Sequence, residues 1–279
     1  MNISVVIIAK NAEKILADCI TSVKFASEVI VVLDTTSTDK TAQIATLLGA
    51  TVISHPWDGY GAQKNFGAEK ATHDWMLFLD ADERVSKELQ EAINQMPESA
   101  DKNVYWITIE DIFLGRRMKH LVGHNPRLIK KGTAQWSSTQ VHEQMIYTAT
   151  SNAAKYKDGI SSELNFPIIH ESYTSVSDYL KKMHKYTSLD AQDMYGRGTH
   201  RSGRSVKKSF ILPYALAVRQ AVKMLFYKKG ILDSWQGIMW SMLSAYYEFE
   251  MGKKYLKLCH SGPRAGIQTG DVDSGSSPE

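Results

Sequence analysis

Cysteine is scarce in this sequence, with only Cys19 and Cys259 among 279 residues. Two thiols cannot build a disulfide framework or a zinc site made of thiolates, and such sparse use is typical of a reducing compartment. The N-terminus also lacks the basic segment and the apolar core of a secretory signal peptide. From these absences we expect a cytoplasmic protein.

Long apolar runs are missing as well. No window reaches the roughly 20 consecutive apolar residues that a membrane-spanning helix requires. The best candidate, residues 210–227, is interrupted by Pro213, Arg219, Gln220 and Lys223. The sequence therefore predicts no membrane-spanning helix.

Two glycine-rich phosphate-binding motifs are also absent. No Gly-x-Gly-x-x-Gly follows the first predicted strand, and no Walker-type glycine-rich loop leads into Lys-Ser or Lys-Thr. Both motifs bring backbone N–H groups close to phosphate oxygens. Their absence disfavours a dinucleotide-binding site and a P-loop site.

Acidic residues are few in the C-terminal part of the chain. Residues 178–260 contain 15 Lys and Arg against 6 Asp and Glu, a net charge of +9, whereas residues 1–177 contain 17 against 21, a net charge of −4. This asymmetry predicts contact with an anionic surface, either a membrane or a nucleic acid. No nucleic-acid recognition motif is present, so we expect no nucleic-acid partner.

Pairs of lysines in the same region stand among Trp, Tyr and Met residues, which suits helices lying in a membrane interface. Ordinary core helices are the alternative interpretation. We predict peripheral contact with a membrane.

The first 80 residues alternate β-rich apolar runs with helical patterns. The predicted strands are Ile3–Ala9, 28–33, 50–54 and 75–79, and predicted helices at 13–23, 41–48 and 61–71 lie between them. Strands about 25 residues apart, separated by helices, predict an α/β fold with a doubly wound, mostly parallel, Rossmann-like sheet. Further predicted strands are 104–113, 127–129, 136–146 and 166–170. Further predicted helices are 86–95, 178–194, 210–227 and 232–258, the last two amphipathic, and residues 196–205 are predicted to be a linker.

One predicted strand ends in a cluster of acids, Asp80-Ala81-Asp82-Glu83. Ligands of open α/β sheets bind beyond the carboxyl ends of the strands. Carboxylates there suit a divalent cation that itself holds a phosphate. Acids are equally favoured at the start of a helix, so this stretch alone leaves both interpretations open.

Polar loops also follow the strands that end at Ala9 and Leu33, the second of them beginning with Asp34. In a parallel sheet these loops share one edge with the acidic cluster, where a nucleotide is expected. Asp34 could accept from a base N–H or from sugar hydroxyls. Alternatively, Asp34, Ser37 and Asp39 form a turn and cap the next helix.

Four stretches follow one another along residues 1–85. They are Ser4-Val5-Val6-Ile7-Ile8-Ala9-Lys10-Asn11, Val32-Leu33-Asp34-Thr35-Thr36-Ser37-Thr38-Asp39-Lys40-Thr41, Gln63-Lys64-Asn65 and Leu79-Asp80-Ala81-Asp82-Glu83. In order and spacing they resemble the family 2 glycosyltransferases, which have a GT-A fold. The resemblance implies a catalytic domain over residues 1–177. The charge and the helical pattern predict a helical, basic, membrane-associated segment over 178–260, and the Gly-, Ser- and Asp-rich residues 261–279 are predicted to be a disordered tail.

A finer resemblance is to the branch of that family that builds the lipopolysaccharide core, the β-1,4-glucosyltransferases acting on inner-core heptose. It is carried by Val141-His142-Glu143, His170-Glu171-Ser172-Tyr173, and Lys229-Gly230-Ile231-Leu232-Asp233 leading to Leu243-Ser244-Ala245-Tyr246. One motif departs from the pattern. The family often has Asn-Glu after the first strand, whereas Asn11 is followed here by Ala12 and then Glu13.

The resemblance implies roles for particular residues. The nucleotide-sugar would be bound by Ala9, Asn11, Asp34, Lys64, Asp80 and Ala81. Asp82 would hold a divalent cation, Mg²⁺ or Mn²⁺, on the diphosphate, and His170 would complete the metal shell. Glu143 would be the general base that takes the proton of the acceptor hydroxyl. The alternatives are a solvated helix face for Lys64, a surface strand acid for Glu143 and a structural role for His170.

The resemblance also implies the reaction. We expect an inverting transfer of a hexose, with glucose favoured, from a UDP-sugar to a lipid-linked glycan such as the lipopolysaccharide inner core, at the inner face of the cytoplasmic membrane. A polyprenyl-phosphate-linked acceptor is the first alternative. A nucleotidyltransferase on the same fold is disfavoured, because Ala9-Lys10-Asn11-Ala12-Glu13 lacks the glycine-rich basic loop of such enzymes. A non-catalytic membrane-associated scaffold is a third possibility.

Overall fold

The computed structural model describes residues 1–97, 100–137, 143–155, 158–159 and 161–261. The strands are β1 Ile3–Ala9, β2 Glu28–Asp34, β3 Thr51–His55, β4 Trp75–Asp80, β5 Glu83–Val85, β6 Val104–Phe113, β7 Arg116–Arg117, β8 Gly123–Lys130, β9 Ala134–Trp136, β10 Met145–Tyr147 and β11 Ser162–Tyr173. The α-helices are α1 Leu16–Ser22, α2 Thr41–Leu47, α3 Tyr60–Lys70, α4 Lys87–Gln95, α5 Val176–Arg197, α6 Leu212–Val222 and α7 Ser234–Ser261. A π-helical turn (Lys223–Tyr227) and a 3-10 turn (Gly230–Asp233) separate α6 from α7.

The described chain forms two compact units. The first contains Met1–Glu110 and Gly123–Ser172, and the second contains Asp111–Val122 and residues 173–261. The predicted division at residues 177 and 260 stays a prediction. All of the predicted tail except Ser261 lies outside the described residues.

The main sheet has nine strands within the described residues. Its order is β3-β2-β1-β4-β8-β6-β11-β5, with β7 paired to β6. The strands β1 to β4 are parallel, whereas β8 runs antiparallel to β4 and β5 antiparallel to β11. The predicted α/β class is thus confirmed, and the parallel half of the sheet is the part assembled from residues 1–80.

Both faces of the parallel half are covered, which explains its continuous apolar strands. On β1, Val5 and Ile7 pack into the same core as Leu16 of α1 and Leu89 of α4. The intervening Val6 and Ile8 pack into the opposite core, with partly buried residues of α3. This is the doubly wound arrangement that the strand–helix alternation predicts.

Helix α3 lies unusually close to the sheet because of a glycine. A Cβ atom at Gly67 would stand 2.3 Å from Val6 Cγ1 and 2.9 Å from Val32 Cγ2. The backbone of α3 therefore occupies space that a side chain would otherwise need. This close approach fixes the position of Lys64, one turn earlier on the same helix.

The second unit is helical and holds two apolar cores. One includes Met183 of α5 and Leu243 of α7, and the other includes Leu216 of α6 and Met251 of α7. No helix among the described residues is long and apolar enough to cross a membrane.

A buried polar cluster ties α5 to α7 through the segment predicted to be a linker. His200 Nε2 lies 3.0 Å from Glu248 Oε2, and Arg201 pairs with Glu248 and, at 3.1 Å, with Asp190. Tyr247 Oη donates to Asp190 over 2.7 Å. Of the predicted linker, Gly196 and Arg197 still belong to α5. Residues 198–205 form a turn anchored by ion pairs, because the side chains of His200 and Arg201 find partners on both helices.

Two other predicted elements differ in extent. The predicted strand 136–146 is instead the end of β9 and the start of β10, with residues 138–142 outside the described part of the chain. The predicted helix 210–227 is α6 followed by the π-helical turn.

Candidate active site

The carboxyl ends of β1, β2 and β4 meet at one edge of the sheet. In the strand register, Ile8 of β1 pairs with Val32 of β2 on one side and with Asp80 of β4 on the other. Asp34 therefore lies two residues past this level, and Ala81 and Asp82, just after β4, lie one and two residues past it. The shared edge predicted for the polar loops is confirmed.

The loops after β1 and β2 are fastened to each other. Asn11 adopts a left-handed conformation, with φ of 47°, which asparagine tolerates better than most residues. Its Oδ1 accepts from the backbone N–H of Thr38 over 2.9 Å. One residue on, the N–H of Ala12 donates to Thr41 Oγ1 over 2.7 Å. These bonds leave the loop after β1 little freedom.

Hydrogen bonds of Glu13 and Asp39 also connect the loops after β1 and β2. The N–H of Glu13 donates to Asp39 Oδ2 over 3.0 Å, and Glu13 Oε2 accepts from the N–H of Lys40 over 3.1 Å. The acid that departs from the family pattern therefore bonds to the loop after β2. Asp39 joins the two loops as well as accepting from the N–H of Thr41 in the first turn of α2.

Asp34 forms the turn considered for it and also pairs with Lys10. Its Oδ1 accepts from Thr36 N over 2.8 Å and from Thr36 Oγ1 over 2.9 Å, which makes the turn. Its Oδ2 lies 3.2 Å from Lys10 Nζ. Burial opposes ionisation, but the bonds from Thr36 and the charge of Lys10 outweigh it, so the pKa of Asp34 is lowered. A charged, oriented carboxylate therefore stands beside the loop after β1.

A pocket opens at this edge. Its lining combines the loop after β1, two aromatic residues that precede or begin α3, and the end of β4. The lining residues are Ile8, Ala9, Lys10, Asn11, Ala12, Ile15, Trp57, Tyr60, Ala81 and Asp82. Four of the predicted site residues, Ala9, Asn11, Ala81 and Asp82, are thus brought to one cavity.

Strand pairing places His170 next to Asp82. On β11, His170 pairs with Glu83 of β5, and the N–H of Glu171 donates to the carbonyl oxygen of Asp82 over 3.1 Å. This register places His170 Nε2 3.3 Å from Asp82 Oδ2. On the other side of the ring, Nδ1 lies 3.0 Å from Ser172 Oγ. The two residues predicted to hold a cation therefore lie next to each other.

The donor set partly fits a divalent cation. Asp82 is buried, and its Oδ1 has no hydrogen-bond partner among the described residues. A carboxylate oxygen and an imidazole nitrogen are both suitable ligands for Mn²⁺, whereas Mg²⁺ prefers oxygen. Among the described residues, no group of three or more His, Cys, Asp and Glu side chains could hold a metal by itself. A cation at Asp82 would need further oxygens from a ligand.

Lys64 is buried and joins two of the predicted site acids. Its Nζ lies 3.3 Å from Asp80 Oδ1 and 2.7 Å from Glu143 Oε1, with only 2% of the side chain exposed. The ammonium also stands 4.7 Å from the ring centre of Trp136. The solvated helix face considered for Lys64 is therefore wrong. Its neighbour Asn65 bonds through both amide atoms to the backbone of Trp136.

Arg127 extends this charge network on the opposite side of Asp80. Its Nη2 lies 3.6 Å from Asp80 Oδ2 and donates to Glu83 Oε1. Glu83 Oε2 accepts from the N–H of Asp80 over 2.8 Å, so Glu83 also stabilises the end of β4. Arg127 Nε and Nη1 have no hydrogen-bond partner among the described residues.

Burial and ion pairing compete in this network. Burial opposes the charge of Asp80, but Lys64 and Arg127 outweigh it, and the pKa of Asp80 is lowered. Burial likewise opposes the charge of Lys64, but Asp80 and Glu143 outweigh it, and the pKa of Lys64 is raised. For Glu83, burial raises the pKa to about 7, with Asp80 adding to the rise and Arg127 opposing it.

Several of these residues escaped the sequence predictions. Lys10, Glu83, Trp57 and Tyr60 were not predicted to be site residues. Lys10 and Glu83 stand inside quoted motifs, so their positions beside Asn11 and Asp82 are a usable signal. Trp57 lies in a loop that contains Pro56 and Gly59, and Tyr60 begins α3. Aromatic residues in and beside such a loop are a signal of recognition.

The sequence agrees with this geometry at the level of the family. The family described as Glycosyl transferase family 2 matches residues 4–157. The chain belongs to this family. Since the match covers the strands and loops that build the pocket, the resemblance drawn from the four motifs is confirmed.

Relatives of this glycosyltransferase are similar over most of its length. An uncharacterized glycosyltransferase of Rickettsia felis is 30% identical over 264 residues, covering 88% of this chain and 87% of the relative. The lipopolysaccharide core biosynthesis glycosyltransferase LpsC of Rhizobium meliloti is 28% identical over 213 residues, covering 70% and 71%. Among solved structures, S. aureus TarS 1–349 in complex with UDP-GlcNAc is 16% identical, covers 94% of this chain and 92% of that one, and has a TM-score of 0.48.

Proposed function

We propose that this family 2 glycosyltransferase is an inverting enzyme that transfers a hexose, with glucose favoured, from a UDP-sugar to a lipid-linked glycan. One observation carries the proposal. Within the region that matches the family, Asp34, Asp80 and Asp82 stand at one sheet edge, and Asp82 lines the pocket there. One buried carboxylate oxygen of Asp82 has no hydrogen-bond partner among the described residues. An anionic, metal-assisted ligand such as a nucleoside diphosphate suits that edge.

In the proposed donor complex, the nucleoside lies against the loops after β1 and β2. Asp34 accepts from the uracil or the ribose, since its carboxylate is charged and oriented by Thr36. The backbone of Ala9 and Asn11 forms one wall, and the ring of Trp57 offers a flat apolar surface for the base. Asp80 and Ala81 lie nearer to the ribose and the diphosphate.

Asp82 and His170 are the proposed holders of the divalent cation. When bound there, Mg²⁺ or Mn²⁺ would neutralise the diphosphate and so make UDP a better leaving group. Asp82 offers Oδ1 in this proposal, and His170 offers Nε2, with its Nδ1 oriented by Ser172.

The acceptor hydroxyl oxygen attacks the anomeric carbon while the bond from that carbon to UDP breaks. Glu143 is the proposed base, and its carboxylate takes the hydroxyl proton. Because Glu143 Oε1 lies 2.7 Å from Lys64 Nζ, the carboxylate must leave this ammonium group before it can accept the proton. The negative diphosphate of the donor is a competing partner for Lys64, so donor binding would release the base.

The proposed acceptor is a lipid-linked glycan, with the lipopolysaccharide inner core favoured. LpsC, which is described as acting in lipopolysaccharide core biosynthesis, supports this choice. The basic C-terminal helices support a location on the inner face of the cytoplasmic membrane. A polyprenyl-phosphate-linked glycan is the alternative acceptor.

Turnover tests the reaction directly. UDP release is measured from a panel of UDP-sugars, with truncated lipopolysaccharide or a polyprenyl-phosphate-linked glycan as acceptor. We expect release that depends on an acceptor, with UDP-glucose as the preferred donor. Release from no UDP-sugar with either acceptor would contradict the proposed reaction.

The same assay tests Glu143. We expect Glu143→Gln to lower kcat by about 100- to 10,000-fold, as for loss of a general base, and to leave donor binding within a few-fold. The matched control is Glu91→Gln on the exposed side of α4, which should keep wild-type kcat. A kcat for Glu143→Gln close to that of the control would rule Glu143 out as the base.

A further inference from the structure

Helix α7 is apolar on two faces, and the protein covers only one of them. Its inner face includes Leu243 and Met251, which belong to the cores of the second unit. Its outer face presents large apolar side chains that are each between 37% and 56% exposed. These are Trp235, Ile238, Met239, Met242 and Tyr246, at helical spacing. A helix that is apolar all round is expected to be covered on all sides.

The preceding elements continue this feature. On α6, Tyr214, Val218 and Val222 recur every four residues and are between 48% and 64% exposed. One turn further along, Phe226 is 62% exposed and Tyr227 is 88% exposed. Ile231 and Leu232 of the 3-10 turn are also at least half exposed. We name these exposed residues of α6, the two turns and α7 the outer apolar face.

The outer apolar face contains twelve exposed large apolar side chains. Scattered apolar residues are normal on a protein surface, whereas extended groups of them mark an interaction site. The Trp, Phe and Tyr side chains of this face, which gain the most free energy on burial, are among the exposed large apolar residues of the described chain. The face therefore has the character of an interaction site.

The charge of the same segment identifies what covers it. Residues 194–247 contain nine Lys and Arg and a single acid, Asp233. That acid is buried, and its carboxylate accepts from the backbone N–H groups of Lys119, His120 and Leu121. The segment therefore presents cations and no carboxylate to its surroundings. Lys207, Lys208, Lys223 and Lys229 are all exposed.

We infer that the outer apolar face docks on an anionic lipid surface, into which its aromatic and aliphatic side chains insert while the lysines contact the lipid phosphates. The inference deepens the proposed function by naming the surface that brings the enzyme to a lipid-linked acceptor. Aromatic rings at the interface and lysines at the headgroups are the pattern of helices that lie in a membrane. A second copy fits poorly, because a two-fold contact would bring like charges together.

Vesicle flotation of the full chain, with neither donor nor acceptor present, tests the inference. We expect binding to vesicles of phosphatidylcholine with phosphatidylglycerol, and binding at least about tenfold weaker to phosphatidylcholine alone. Phe226→Ser with Trp235→Ser should weaken binding to the anionic vesicles by about tenfold or more. Lys223→Glu with Lys229→Glu should also weaken it.

The control is Leu47→Ser on α2, because Leu47 is 85% exposed and lies in the first unit. It should bind vesicles as the wild type does, and circular dichroism should show that all variants are folded. Equal binding to both vesicle types, or undiminished binding by the Phe226→Ser/Trp235→Ser protein, would overturn the inference. So would a lipid-free dimer, in sedimentation velocity, that dissociates in the same variant.

The proposed reaction and this inference fail separately. Vesicle binding requires no sugar transfer, so a negative flotation result would contradict the inference and would not test the proposed reaction. Conversely, a protein that floats with anionic vesicles and releases no UDP would contradict the proposed reaction alone.

Discussion

At the scale of single residues, Lys64 holds the candidate site together. It is the one cation within 4 Å of both Asp80 and Glu143 among the described residues, and its side chain is almost wholly buried. A buried charge is tolerated only when partners surround it. The same side chain therefore supports the stability of the first unit and the pairing of the proposed base.

Replacing Lys64 by methionine keeps the length of the side chain and removes the charge. We expect Lys64→Met to lower the free energy of unfolding by about 3–5 kcal/mol, since Glu143 loses its nearest cation and Asp80 keeps only Arg127. Urea unfolding followed by circular dichroism measures the difference.

Lys70→Met is the matched control, because Lys70 lies on the same helix and is exposed. It should change the free energy of unfolding by less than about 0.5 kcal/mol. Adding Glu143→Gln to Lys64→Met should restore part of the lost stability, because it removes a carboxylate left without its partner. If the Lys64→Met protein were as stable as the Lys70→Met protein, Lys64 would not stabilise the charge network of the site.

Some site residues could be predicted and others could not, for a physical reason. Asp34 and Asp82 directly follow apolar strands, so sequence alone places them at the sheet edge. The burial of Lys64 depends on Glu143, which is 79 residues away along the chain. No local pattern encodes such a partner, and an inward-facing lysine looks like a solvated one in the sequence.

At the scale of elements, the packing of α3 against β1 and β2 decides where Lys64 and Tyr60 lie. Gly67 permits that packing, since a Cβ atom there would collide with Val6 and Val32. We expect Gly67→Ala to lower the free energy of unfolding by about 1–3 kcal/mol, although alanine is the better helix former. Chemical denaturation of both proteins gives the comparison.

Gly196→Ala separates the collision from helix propensity. Gly196 is also helical, in α5, and a Cβ atom there would meet nothing within 4 Å. This variant should be as stable as the wild type or more stable by up to about 1 kcal/mol. A gain of stability in both alanine variants would contradict the close contact between α3 and the sheet.

The elements themselves were largely predictable. Strands β1, β2 and β4 are apolar runs because both faces of this part of the sheet are covered, so apolarity, length and β-branched residues mark them. The helical segments gave weaker signals at their ends. For example, the π-helical turn after α6 keeps the same apolar spacing as the helix, so the sequence could not distinguish it.

At the scale of the whole molecule, the α/β class and the glycosyltransferase family followed from the order of strands, helices and motifs. The assignment of residues 111–122 to the second unit did not. It depends on contacts such as those of Asp233 with the N–H groups of Lys119 to Leu121, more than 100 residues away in the chain. Composition carries no trace of such a long-range bond.

We propose that the sheet edge binds a nucleoside diphosphate through Asp82 and a divalent cation. Isothermal titration calorimetry of UDP into the full chain tests it most directly, with Mn²⁺, with Mg²⁺, or with EDTA alone. We predict measurable binding with a cation, weakened at least about tenfold by EDTA and to a similar degree by Asp82→Asn. UDP binding that is unaffected by both EDTA and Asp82→Asn, or no UDP binding under any of these conditions, would contradict the claim.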